Sequence, residues 1–285
     1  MLKYRLFFGI LMIVSFAGVA AVDAWITGLL ATAGIDGGPV RGTAICILVV
    51  ALIFPAQFEL AKIAAAKNLN LFLPVTIAAS IMFGTFPFWP QILAIDPATT
   101  LMLLAALVLS ALFLYQYLRH GTSSVLANCG AGCFSICYVG LLIGFVPAIR
   151  IDFGLKPMLM FVFVVKGADI GAYAIGKTFG KRKFSPRISP GKTWEGFAGA
   201  VAAAVIVAIF FAGVFGIMSW WLAVLYGICF AFVGQLSDLA ESLMKRDAEQ
   251  KDSANKVPGF GGILDIIDSP LGAAPFAYVF FLFAT

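Results

Sequence analysis

Charge is what this sequence has least of. Asp, Glu, Lys and Arg make up 12% of its 285 residues, 62% are hydrophobic, and the mean hydropathy is +1.02. A soluble domain is about a quarter charged and about half apolar. A globule of this size needs a polar skin, so the shortage excludes a water-soluble fold. The five cysteines (Cys46, Cys129, Cys133, Cys137 and Cys229) all lie inside apolar stretches, which argues against disulfides. Cys129, Cys133 and Cys137 share a helical face but have no His or carboxylate among them. They read as small packing residues rather than a metal site. Tandem repeats and low-complexity segments are absent.

What is present is apolar length. The chain carries 28 Phe and 29 Gly, and Gly is commoner in membrane helices than in soluble ones. A spanning helix needs about 20 mostly apolar residues. Nine stretches qualify: 5–25, 42–66, 70–89, 99–118, 126–149, 157–177, 194–216, 219–243 and 261–284. The fold class is therefore all-α, a polytopic integral membrane protein with about nine transmembrane helices. Met1 to Trp25 has a charged start and a long apolar run, which reads as a retained first helix rather than a cleaved signal. Two regions follow: 1–150 with about five spans, and 151–285 with about four spans and two cytoplasmic loops.

Nine spans sort the charge. With the N-terminus inside, fifteen of the 19 Lys and Arg residues fall on one side. Arg41, Arg150 and Lys156 fall on the other, and Lys166 lies within a span. The basic side is expected to be the cytoplasmic face of a bacterial inner membrane. Orientation and contact with anionic headgroups account for that sign, but not for the acids that accompany it.

Ionisable groups inside a membrane usually mark a functional interior. In the first half only Asp23 and Glu59 stand near span ends, and Asp36, Asp96 and Asp152 read as solvated loop acids. In the second half Lys166 and Asp169, Asp238 and Glu241, and Asp265 and Asp268 are each three apart, so each pair shares a helix face. Structural ion pairing is the competing reading for each pair. Six such residues beside two basic loops favour a polar site.

The first loop, Gly176 to Gly196, mixes Gly, Ser, Thr, Lys and Arg, which suit phosphate. Gly191-Lys192-Thr193 is not a Walker A loop, because that motif needs Gly five residues before Gly191 and Pro186 stands there. The second loop, Ser242 to Ser269, alternates bases and acids and enters the last span through Pro258-Gly259 and Gly261-Gly262. Carboxylates three apart at a helix start suit Mg²⁺, which takes oxygen ligands and shares them with substrate phosphates. Bases beside a metal–carboxylate cluster are the parts that phosphoryl and nucleotidyl transfer need.

These residues resemble the phosphatidate cytidylyltransferases, or CDP-diacylglycerol synthases. The match runs through Ser242, Lys245, Arg246, Lys251, Asp252, Pro258, Gly259, Gly261, Gly262, Asp265 and Asp268. Upstream it includes Asp169 to Tyr173, Phe179-Gly180-Lys181, Ser189 to Gly196, and Gly234 to Leu239. It is strong over about 160–285 and rests on hydropathy alone before that. The resemblance implies transfer of CMP from CTP to phosphatidic acid. Asp238, Asp265 and Asp268 would bind Mg²⁺, with a second metal ion left open. Asp238, Lys245, Arg246, Lys251, Asp252, Asp265 and Asp268 would form the catalytic set. Ser189, Gly191, Lys192 and Thr193 would bind the nucleotide. Membrane lipids are the other expected partners, and nucleic acid is not one. Gly167 and Gly171, and Gly176 and Gly180, permit close helix packing within or between chains, so a homodimer stays open. The pattern's His is Phe260 here, and its Arg after the first Asp is Ile266. A phosphate nucleophile is already anionic near neutral pH and needs no strong base. The one His, His120, reads as interfacial. A related enzyme with another lipid phosphate or a polyprenol as acceptor, an inactive scaffold, and a transporter built on Lys166 and Asp169 are the alternatives.

Overall fold

The computed structural model describes residues 2–32, 41–93, 95–250, 253 and 261–284, with side chains left out at 2–10 and 30–32. It is almost wholly helical. The helices are α1 (Leu2–Thr32), α2 (Thr43–Ala65), α3 (Leu73–Gly84), α4 (Pro97–His120), α5 (Val125–Ser135), α6 (Leu142–Asp152), α7 (Leu155–Phe179), α8 (Trp194–Phe215), α9 (Trp220–Asp247) and α10 (Leu264–Ala284). A 3-10 helix, Phe86–Gln91, follows α3, and a π-helical turn, Ile136–Leu141, joins α5 to α6. Among the described residues eight stretches are long and apolar enough to cross a membrane, with Val125–Asp152 counted as one. The fold is that of an all-α, multi-pass membrane protein.

The expected span at 70–89 is the exception in form. α3 has 12 residues, or about 18 Å of rise, too short for a hydrocarbon core of about 30 Å. The 3-10 helix adds six residues and about 12 Å more, so together they reach the required length. Gln91 at its end donates a hydrogen bond of 3.1 Å to the carbonyl of Arg41, just before α2 begins. The stretch therefore returns to the level where α2 starts. Pro87 and Pro90 explain the change of helix type, since neither offers the N–H that an α-helix uses.

The chain forms two compact units, one drawn from residues 1–151 and 248–264, the other from 152–247 and 265–285. In the first, Phe72, Ala79, Leu112, Cys129 and Ile136 make a shared core. Gly140 and Gly144 bring the π turn and α6 against Ser80 and Phe83 so closely that a Cβ on either would collide with backbone. Gln57 bridges Ser80 Oγ and the Ser135 carbonyl at 2.7 and 3.1 Å.

The first half is less bare than its sequence suggests. Asp23 is fully buried, accepting from Arg150 Nε at 2.7 Å and from Ala44 N at 3.0 Å. Arg150 is thus a buried partner in α6. Asp96 caps α4 by accepting from Thr99 N at 2.7 Å, with Pro97 at the first helical position. Those hydrogen bonds hold its carboxyl below the usual range. Asp152 accepts from the Tyr278 hydroxyl at 2.7 Å. Asp96 and Asp152 are exposed, as expected of solvated acids, and each also accepts a structural hydrogen bond, while Asp36 lies outside the described residues.

In the second unit, α7 packs along α8 through glycine. A Cβ at Gly171 would strike the Gly199 carbonyl, and one at Gly199 would strike Ile175. Gly167 meets Val207, Gly176 meets Gly196, and Gly180 meets Thr193. The three α7 glycines and Gly180 just after the helix thus serve packing within the chain, so a homodimer draws no support from them.

Candidate active site

The loop between α7 and α8 is a small hairpin. β1 (Lys183–Ser185) pairs antiparallel with β2 (Ser189–Thr193), with Lys183 opposite Thr193 and Ser185 opposite Ser189. Three tethers hold it. Glu195 accepts from Lys181 N at 3.1 Å and from Arg182 N at 3.2 Å. Thr193 Oγ1 accepts from Gly196 N at 3.0 Å and caps α8. Arg246 Nε donates to the Ile188 carbonyl at 3.0 Å. Nothing lies within 4 Å of where a Cβ on Gly191 would stand, so its backbone is open to approach.

Thus anchored, the hairpin aims Lys192 at α9. Its ammonium donates to the Gln235 carbonyl at 3.2 Å and pairs with Asp238 at 3.0 Å. One turn on, Lys245 pairs with Glu241 at 2.8 Å and also with Asp265 at the start of α10. On α7, Lys166 pairs with Asp169 at 3.1 Å, and Asp169 accepts from Ser269 Oγ at 3.2 Å. Asp268 accepts from Ser269 N at 2.6 Å and lies within electrostatic reach of Asp238, Asp169 and Lys166. The Lys245–Asp265 pair, the Asp169–Ser269 hydrogen bond and the hairpin therefore draw three lysines and five carboxylates into one cluster.

The first turns of α10 are held open for this. Pro270 has no N–H to donate four residues back, so the Ile266 carbonyl loses its helical partner. Lys166 Nζ takes that place at 2.8 Å. Two residues on, Ser237 Oγ inserts into the ladder, donating to the Asp268 carbonyl and accepting from Gly272 N at 3.1 Å. A side chain at Gly272 would collide with Ser237.

Of the expected site residues, Asp238, Lys245, Asp265, Asp268 and Lys192 converge. Arg246 braces the hairpin, while Ser189 and Gly191 lie on it. Thr193 is only 4% exposed and serves as a helix cap. Lys251 and Asp252 lie outside the described residues, as does Phe260. His120 stacks near Phe72, with ring centroids 5.4 Å apart, among groups of the first unit.

Two residues carry more than their sequence indicated. Glu241 spaces four from Lys245, an ordinary helical ion-pair signal, yet it is fully buried. Its Oε1 has no hydrogen-bond partner among the described residues. In the first unit, Glu59 is fully buried and accepts from Ile263 N at 3.2 Å, Leu264 N at 2.9 Å and Ser253 Oγ at 3.0 Å. Nothing in the local sequence foretold a partner so distant.

Asp169, Asp238, Glu241, Asp265 and Asp268 face Lys166, Lys192 and Lys245, which leaves two formal negative charges over. The donors are all hard oxygens. Among the described residues no three acidic, His or Cys side chains are gathered into a ready metal cage. Mg²⁺ does not require one, since it uses one or two carboxylates together with water and substrate phosphates. In charge, donor type and the orphaned Glu241 oxygen, the cluster fits such an ion.

The sequence profile of the cytidylyltransferase family matches residues 5–284. Phosphatidate cytidylyltransferase of Bacillus subtilis (strain 168) is 43% identical over 144 residues, 50% of this chain and 54% of that protein. The protein of the same name from Pseudomonas aeruginosa is 46% identical over 114 residues, 39% of this chain and 42% of the relative. That from Haemophilus influenzae is 39% identical over 132 residues, 44% of this chain and 46% of the relative. The matched part spans about half the length of these curated relatives.

Proposed function

The chain belongs to the cytidylyltransferase family, and from that premise we propose that it transfers the cytidylyl group of CTP to phosphatidic acid. An oxygen of the lipid phosphate attacks the α-phosphorus of CTP. The bond from that phosphorus to the β-phosphate bridging oxygen breaks, pyrophosphate leaves, and CDP-diacylglycerol stays in the membrane. The observation that carries this reading is the cluster of three lysines and five carboxylates joining α7, α9, α10 and the hairpin.

Each group has a task that its geometry allows. Lys192 and Lys245 bring positive charge to where the triphosphate would gather negative charge. The open backbone at Gly191, with Ser189 beside it on the same strand, offers donors to phosphate oxygens. Arg246 keeps the hairpin over the inner end of α9. Asp238, Asp265 and Asp268 would hold Mg²⁺, whose contribution is to neutralise charge on the phosphates. Lys251 and Asp252 complete the proposed set. Phe260 stands where the resembling pattern carries His, which is compatible with an anionic nucleophile that needs no strong base. The active face is proposed to be cytoplasmic, at the inner membrane, because the basic loops gather there.

The test is purified protein with radiolabelled CTP and phosphatidic acid, with and without Mg²⁺. Matched release of pyrophosphate and formation of CDP-diacylglycerol are expected only with the metal. Replacing phosphatidic acid with other lipid phosphates or polyprenyl phosphate separates the neighbouring activities. Asp265→Asn should lower turnover by at least about a hundredfold, the scale for losing a main electrostatic contributor. Near-normal turnover in that variant would sink the metal assignment.

A further inference from the structure

Lys166 lies about midway along α7, in a membrane span, where an ammonium is costly. One of its N–H groups mends the α10 ladder at Ile266, and a second pairs with Asp169. An ammonium has three donors, and the third has no partner among the described residues. The side chain is 24% exposed.

Mending a helix ladder does not call for charge. A Gln could donate to the Ile266 carbonyl with far less desolvation. Asp169 does not explain the charge either, because an apolar pair in its place would also avoid the penalty. Ile266, which stands where the resembling pattern carries Arg, brings no charge to this turn. Lys166 is within electrostatic reach of both Asp268 and Asp238. A phosphate shared with a cation on those carboxylates would come within its reach as well.

We propose that Lys166 is a phosphate-binding residue of this site, its free N–H donating to a non-bridging oxygen of CTP or of the lipid phosphate. The inference rests on the cytidylyl transfer proposed above.

Lys166→Gln keeps a donor for the Ile266 carbonyl and removes the charge, whereas Lys166→Arg keeps the charge. Steady-state kinetics are measured on both variants with CTP and with phosphatidic acid varied separately. Lys166→Gln is expected to raise KM for one substrate about ten- to a hundredfold, the cost of one charge-assisted hydrogen bond. Lys166→Arg is expected to stay within about threefold of the parent, because the charge is retained. A rise confined to CTP identifies the triphosphate as the ligand. A rise confined to phosphatidic acid identifies the lipid phosphate. Unchanged KM values, or a fall in kcat alone, overturn the proposal and leave Lys166 as a plug in the ladder. Failure of Lys166→Gln to fold would overturn it too, since the charge would then belong to the fold. If the parent protein transfers nothing, the function has failed rather than this inference. Equilibrium dialysis of CTP, and sedimentation with phosphatidic acid vesicles, then give the same comparison.

Discussion

At Gly262 even a methyl group would be driven into the Glu59 carboxylate and the Ser253 hydroxyl. Its neighbour Gly261 adopts φ +95°, where an L side chain is strained. The two glycines have separate reasons, one conformational and one steric. Glu59 takes the space above Gly262 because the N–H groups of Ile263 and Leu264 point there, and a carboxylate at a helix N-terminus also meets the positive end of its dipole. Glu59→Ala leaves buried donors without an acceptor, at about 1–3 kcal/mol. Gly262→Ala should cost a similar amount by pushing the same carboxylate away. Because both break one arrangement, the double variant should lose clearly less than the sum of the two. Thermal unfolding in detergent measures all three, and strict additivity would remove the shared cause. This locus marks the limit of what the sequence discloses. Asp265 and Asp268 announce themselves by spacing within one helix turn. Glu59 finds its partners 204 and 205 positions along the chain, and no local period encodes that.

Between elements, the buried ion pair of Asp23 and Arg150 joins α1 to α6, and Asp23 also holds the first turn of α2 through Ala44 N. Removing one member leaves the other as a lone charge in an apolar interior. Arg150→Met is therefore expected to destabilise the protein by about 3–5 kcal/mol, while adding Asp23→Leu should recover most of that loss. Chemical denaturation in detergent gives the comparison, and a double variant as unstable as Arg150→Met alone would contradict it. The same logic explains which elements were legible. Long apolar runs fixed α4 and α8 to within two residues of expectation, because hydropathy alone defines a span. In sequence the hairpin reads as a plain loop, since its strands of three and five residues are too short for an alternating pattern. Pro270, four residues after Ile266, was the available sign that α10 would need a donor from elsewhere. Its meaning depended on Lys166 standing opposite, which only the packing of α7 reveals.

For the whole molecule, the sidedness of the proposed site turns on one short stretch. If residues 73–91 cross the membrane, the chain crosses nine times and the 183–193 hairpin lies on the same side as Lys67. If they do not, every later loop is inverted, and the hairpin moves opposite to Lys67. The hydrogen bond from Gln91 back to Arg41 and the combined rise of about 30 Å favour crossing. The charge does as well, because inversion would scatter the basic residues of the hairpin and of Lys67 onto opposite faces. Single cysteines decide the matter in a background with the five native ones replaced. Lys67→Cys and Arg187→Cys are expected to react with a membrane-impermeant maleimide only in inside-out vesicles. Leu93→Cys should react only from the opposite face. If Leu93→Cys labelled together with Lys67→Cys, the nine-crossing topology would be lost, and the cytoplasmic site with it. Nucleotide supply makes the outcome matter for the proposed reaction, because CTP is a highly charged solute that would reach the cluster only from the aqueous side it faces. The proposed lipid substrate would arrive laterally, within the membrane. On the proposed nine-crossing topology, the cluster of α7, α9 and the start of α10 would lie where those two routes meet.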